Sequence, residues 1–73
     1  MAKDDYLTLK GSIIEVLPGS RYRVQLDDNQ HIVLAYLSGK MRQHKIRIVA
    51  GDKVDVEVNT ADIDKGRISY RHR

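Results

Sequence analysis

Apolar residues recur at every second position in short runs separated by turn residues, and this pattern constrains the chain more than any other feature. A side-chain period of two belongs to strands with one buried face, whereas an amphipathic helix needs apolar residues three and four apart. Val54, Val56 and Val58 alternate with Asp55 and Glu57; Tyr22, Val24 and Leu26 alternate with Arg21, Arg23 and Gln25. Leu7, Leu9, Gly11 and Ile13 keep this period, but Ile14 and Val16 continue in the opposite phase. A first strand bent at Gly11, or bulged beyond it, is therefore predicted. His31 to Leu37 is almost wholly apolar and predicts a third strand buried on both faces, while Ile68 and Tyr70 alternate with Arg67, Ser69 and Arg71 in a final one. Pro18-Gly19-Ser20, Asp27 to Gln30, Gly51-Asp52 and Asn59 to Asp64 read as the intervening turns and loops.

Ser38-Gly39 interrupts the pattern, and Lys40 to Lys45 is too short for a substantial helix and too charged for a buried strand. An exposed connection with room for one helical turn capped by Ser38 is expected, before Ile46, Ile48 and Val49 return to the apolar pattern. Five strands, a kinked first strand and a long connection after the third fit an all-β, five-stranded Greek-key barrel of the oligonucleotide-binding (OB) type. An SH3-like barrel is the nearest alternative. Closure hides sheet edges that a chain of 73 residues could not otherwise protect.

Residues 1–73 read as a single domain, with 1–5 expected to be flexible and 71–73 to form a basic tail. A domain this small buries only about 60% of the surface its unfolded chain exposes, so a thin core is expected. The absence of Cys excludes disulfides and thiolate chemistry. The longest apolar run, Ile32 to Leu37, is far short of the roughly 20 residues that span a bilayer. Two acids in Met-Ala-Lys-Asp-Asp stand where an export signal is basic and then apolar, and a cytoplasmic location is expected.

The net charge is only +3, but it is unevenly distributed. Lys40, Arg42, Lys45 and Arg47 fall in a stretch without acids, and Arg67, Arg71 and Arg73 follow near the end. Such concentration points to a polyanion, commonly nucleic acid, although a solvated, solubilising face would have the same composition. Met41, inside the basic connection, can lie against a base or tuck beneath the loop as a plug. The only aromatic residues are Tyr6, Tyr22, Tyr36 and Tyr70. Tyr22 and Tyr70 are in phase with the inward residues of their strands and are expected in the core; Tyr6 and Tyr36 are left open. His31, His44 and His72 lack metal-ligand spacing, Asp62 and Asp64 lack the rest of a calcium loop, and no nucleophile or phosphate-loop motif is present. Neither enzyme activity, a metal nor another cofactor is expected.

Several motifs together resemble bacterial translation initiation factor one. They are the opening Met-Ala-Lys-Asp-Asp, the Gly11 strand, Leu17-Pro18, Tyr22-Arg23-Val24, Ser38-Gly39-Lys40-Met41-Arg42, Ile46-Arg47-Ile48, Gly51-Asp52-Lys53-Val54 and Lys65-Gly66-Arg67-Ile68. The resemblance covers essentially the whole chain. It implies a monomeric, cytoplasmic OB-fold protein that docks at the decoding (A) site of the small ribosomal subunit. There it would contact ribosomal RNA and a neighbouring ribosomal protein, and support initiation with initiation factors two and three. Carried over by position, Lys40, Met41 and Arg42 match the loop that enters the RNA, Arg47 a basic residue on its far side, and Arg67 and Arg71 basic residues of the last strand. Lys45 stands where the family usually has Tyr, Tyr36 where it has His, and Thr60-Ala61 where it has Pro-Tyr. Lys45 joins the expected RNA-binding set on charge. A cold-shock-like single-strand binder is disfavoured by the absence of Phe and Trp. An SH3-like module that binds an acidic protein would use the same basic loop.

Overall fold

The computed structural model describes residues 6–44 and 47–72. Its strands are β1 (Tyr6–Leu17), β2 (Arg21–Leu26), β3 (Ile32–Leu37), β4 (Lys53–Asn59) and β5 (Asp62–His72), with one short helix, α1 (Gly39–Gln43), between β3 and β4. They close into a barrel in the order β1-β2-β3-β5-β4. This is the five-stranded OB arrangement expected from the strand pattern. Only β3 and β5 run parallel; the other pairings are antiparallel.

Closure depends on β1 serving two neighbours. Its first half pairs with β4 and its second with β2, and Gly11 sits at the handover, opposite both Val54 and Leu26. The strands approach so closely there that a Cβ on Gly11 would stand 2.6 Å from Val24 Cγ1 and 2.8 Å from the Gln25 carbonyl oxygen. Beyond it, the register against β2 shifts between Ile13 and Glu15. Directly opposed residues share a sheet face, so Ile13 opposite Val24 and Val16 opposite Tyr22 both belong to the inner side. Ile14 is the extra residue of the bulge and is exposed. The reversed phase of β1 therefore marks a bulge beyond Gly11.

The core runs through Ile13, Val24, Val33, Val54, Val56 and Ile68, all essentially inaccessible to solvent. Four sequence expectations are corrected here. β3 alternates rather than burying both faces, because one side faces the barrel and Ile32 and Tyr36 emerge on the other. β5 begins at Asp62, which reduces the expected loop to Thr60-Ala61, and it continues through His72, so Arg71 is part of the sheet and not a tail. Tyr22 is buried as expected, but Tyr70 is 56% exposed. The β4–β5 register shifts between Asp55 and Val56, so that Val56 opposes Ile68 while Asp55 opposes Tyr70. Ser69 absorbs the extra position, and Tyr70 is turned to the outside with Asp55.

Candidate nucleic-acid interface

One apolar side chain anchors the start of the basic connection to the core. Ser38 caps α1, its Oγ accepting a hydrogen bond from the Met41 amide at 3.2 Å, while its own amide donates to the Ile68 carbonyl at 3.0 Å. This spacing turns Met41 into the barrel, where it is 4% exposed and joins the core. Of the two roles open to Met41 in the sequence, the structure shows the plug. Lys40 and Arg42, on either side of it, are exposed.

After the helix, Ile48 re-enters the core, the Gly51 amide donates to the Ile13 carbonyl at 2.8 Å, and the Ile13 amide donates to the Asp52 carbonyl at 2.9 Å. Arg47 lies exposed at the start of this return. Lys45 and Ile46 lie outside the described residues, as do 1–5 and Arg73. No ion pair among the described residues involves Lys40, Arg42 or Arg47.

The remaining two expected site residues are already engaged. Arg67 Nε and Nη2 donate to Glu57 Oε1 at 3.1 and 2.8 Å. That contact with the Glu57 carboxylate raises the Arg67 pKa above the ordinary arginine value. A raised pKa means that any stabilisation from this pair is complete below the unfolded-state arginine pKa and is lost only as pH climbs through the higher folded value. The guanidinium charge is therefore present at every working pH. Arg71 opposes the buried Val54, so it points to the barrel side and not outward with Arg67, and its Nη1 donates to the Arg47 carbonyl at 2.6 Å. Its structural role is to fasten the segment that carries Arg47.

Cross-strand register also assembles an outer row not foreseen from the sequence. Arg21 opposes Tyr36, Tyr36 opposes Arg67, and Arg67 opposes Glu57. Beside the row, Tyr6, Tyr36, Lys65 and Arg67 line a cleft of about 260 Å³. The Arg67 guanidinium carbon lies 5.5 Å from the centre of the Tyr6 ring, within the range of a cation–π contact. Tyr6 and Tyr36 remain 44% and 42% exposed. Lys65 and Tyr6 could have been anticipated only by knowing how far β5 extends and which strand neighbours β1.

Among the described residues no group of three or more His, Cys, Asp or Glu is placed to hold a metal ion. His31 and His72 instead meet single carboxylates, Asp64 at 2.9 Å and Asp55 at 2.7 Å. No helix among the described residues is long and apolar enough to cross a membrane.

Residues 2–73 match the family described as translation initiation factor 1A / IF-1. Among solved structures, the fold is similar to translation initiation factor one from the Wolbachia endosymbiont strain TRS of Brugia malayi. That match has a TM-score of 0.75 and 40% identity, and covers 93% of this chain and 79% of that one. YjeQ from Thermotoga maritima matches with a TM-score of 0.76 at 21% identity, covering 92% of this chain but 23% of that one. The second likeness is one of fold alone.

Proposed function

We propose that this chain, which belongs to the translation initiation factor 1A / IF-1 family, is a non-catalytic cytoplasmic factor that binds the decoding (A) site of the small ribosomal subunit as a monomer. It recognises ribosomal RNA there beside a neighbouring ribosomal protein and acts with initiation factors two and three.

The observation that carries this reading is the set of exposed cations Lys40, Arg42 and Arg47, without ion-pair partners among the described residues, on a connection anchored by buried Met41. Charges already fixed in position lose less conformational entropy on binding than charges on a floppy loop. Arg42 and Arg47 supply planar donors for phosphate pairs or stacking, whereas Lys40 and Lys45 supply less directional charge. Met41 serves the RNA indirectly, by setting the pose of its neighbours. Arg71 holds the Arg47 backbone, and Arg67 offers its remaining donors beside the tyrosine cleft. Tyr6 and Tyr36 give that cleft two ring faces for an unstacked base, the form in which RNA sequence and shape are usually read.

Co-sedimentation with purified small subunits, over a salt series, tests the proposal. Binding weakens steeply as salt rises, because each neutralised phosphate releases condensed counterions. Arg42→Ala and Arg47→Ala each reduce affinity by about tenfold or more while melting normally, since a charge-assisted contact is worth about 1.5–3 kcal/mol. Rescue by Lys at either position identifies simple phosphate attraction; failure of Lys identifies stacking or a two-pronged contact. Native affinity in both alanine variants would overturn the assignment.

A further inference from the structure

The cleft beside the outer row is not uniformly basic. Besides Tyr6, Tyr36, Lys65 and Arg67, its wall includes Asn59 and Asp62. Asn59 opposes Tyr6 on one side and Asp62 on the other, so the two polar side chains stand together at the Tyr6 end, whereas Tyr36 stands opposite Arg67. Neither Asp62 nor Lys65 forms an ion pair among the described residues. The cleft thus combines two half-open rings, two cations and an unneutralised carboxylate. A phosphate backbone alone would use the cations and be repelled by Asp62, so the carboxylate calls for a ligand with hydrogen-bond donors as well as negative charge.

Two backbone amides fix which polar atoms remain for that ligand. Asn59 Oδ1 accepts from the Ala61 amide at 2.7 Å, leaving the Nδ2 hydrogens to donate. Asp62 Oδ1 accepts from the Asp64 amide at 3.3 Å, a long contact that leaves Oδ2 with its full accepting capacity. A donor therefore stands beside an anionic acceptor. The Watson–Crick edge of guanine presents the complement, the O6 acceptor followed by the N1–H and N2–H donors. Adenine and cytosine would set a ring-nitrogen lone pair against the carboxylate, and uracil offers one N–H between two carbonyls. Only guanine gives a carboxylate two adjacent donors, a charge-assisted and directional contact.

We infer that the cleft is a guanine-selective site for single-stranded RNA. The base lies against Tyr6 and Tyr36, Asp62 accepts from its N1–H and N2–H, Asn59 donates to its O6, and Lys65 and Arg67 hold the adjoining phosphates. Arg67 can do so while paired, because Glu57 occupies its Nε and Nη2 and leaves Nη1 to donate. The assignment rests on the RNA-binding reading of the chain and names the base.

The test is a titration of the ¹⁵N-labelled chain, followed by amide NMR shifts, with the short RNA U-U-G-U-U and its counterparts carrying A, C, U or inosine at the centre. Saturable shifts are expected at Tyr6, Tyr36, Asn59 and Asp62, with the guanine strand bound about tenfold or more tightly than the A, C and U strands. Inosine, which lacks the N2 amino group, falls between guanine and adenine. Asp62→Ala, confirmed as folded by its melting curve, abolishes the preference without weakening the all-U strand. Asp62→Asn keeps one carbonyl acceptor and relieves repulsion of the backbone, and so retains part of the preference. Equal affinity for the guanine and adenine strands, a preference that survives Asp62→Ala, or shifts confined to Lys40 and Arg42 would each overturn the inference. Co-sedimentation with small subunits is read separately: if it persists when the guanine preference is absent, the ribosomal reading stands and this one fails, and if it is lost while the preference remains, the reverse holds.

Discussion

The two ends of the barrel are built from the same strands yet present opposite chemistry. At one end β3 leads into a capped helical turn that drives Met41 into the core and leaves Lys40, Arg42 and Arg47 without carboxylate partners among the described residues. At the other, the short turns at Asp27–Gln30 and Thr60-Ala61 bring only Asn29 and Thr60 to the wall of an apolar pit, and Leu7 and Ile63 in that wall are exposed. The difference shows that closing a small barrel in hydrogen bonds does not close its core. Each mouth must be filled by a connection, and the connection long enough to fill one also carries the charges.

The largest effect that can break this comparison is on stability. Met41→Ala should cost about 2–5 kcal/mol, because the buried side chain that plugs this mouth is lost and a cavity is left behind. Leu7→Ala at the open end should change stability by about 0.5 kcal/mol or less, as expected for a surface site. Urea denaturation of the two variants checks both values, and equal losses would mean that the two ends are equally packed.

Binding separates the ends next. Arg42→Ala should lose about 1.5–3 kcal/mol of affinity for small subunits, whereas Asp62→Asn should leave it unchanged or slightly improved. Sedimentation at one fixed salt concentration reads both. Arg47→Ala sharpens the result, since truncating the side chain leaves the carbonyl that accepts from Arg71 in place.

Ser38→Ala should be milder, costing about 1 kcal/mol through loss of the α1 cap. Its affinity for RNA should fall with the order of the helix, visible as faster hydrogen exchange at Met41, with no change at Val58.

Glu57→Gln should have the smallest effect on stability, within about 0.5 kcal/mol, because the Arg67 pair is partly open to solvent and screened by it. Losing the carboxylate removes the contact that raises the Arg67 pKa and leaves its charge available to phosphate. The salt dependence of RNA binding should steepen, and an unchanged slope would show that Arg67 does not contact RNA.

Local pattern alone determined the number of strands, the turns at Pro18-Gly19-Ser20, Asp27 to Gln30 and Gly51-Asp52, an irregularity in the first strand at or beyond Gly11, the Ser38-capped helical turn and the concentration of cations around it. Each depends on residues within a few positions of one another, where side-chain period and turn preference act directly. Tertiary structure decided which faces those strands show. Tyr70 has the same local alternation as Tyr22, yet a register shift against β4 turns one outward while the other stays buried. The same long-range pairing sets Arg71 against Val54, Arg67 against Glu57 and Tyr36, and gathers Tyr6 and Lys65 into one cleft. Whether Met41 faced a ligand or the core was likewise settled by where the end of β3 meets Ile68. A period of two establishes that a strand has two faces, but only its register with strands distant in sequence determines which face is inside.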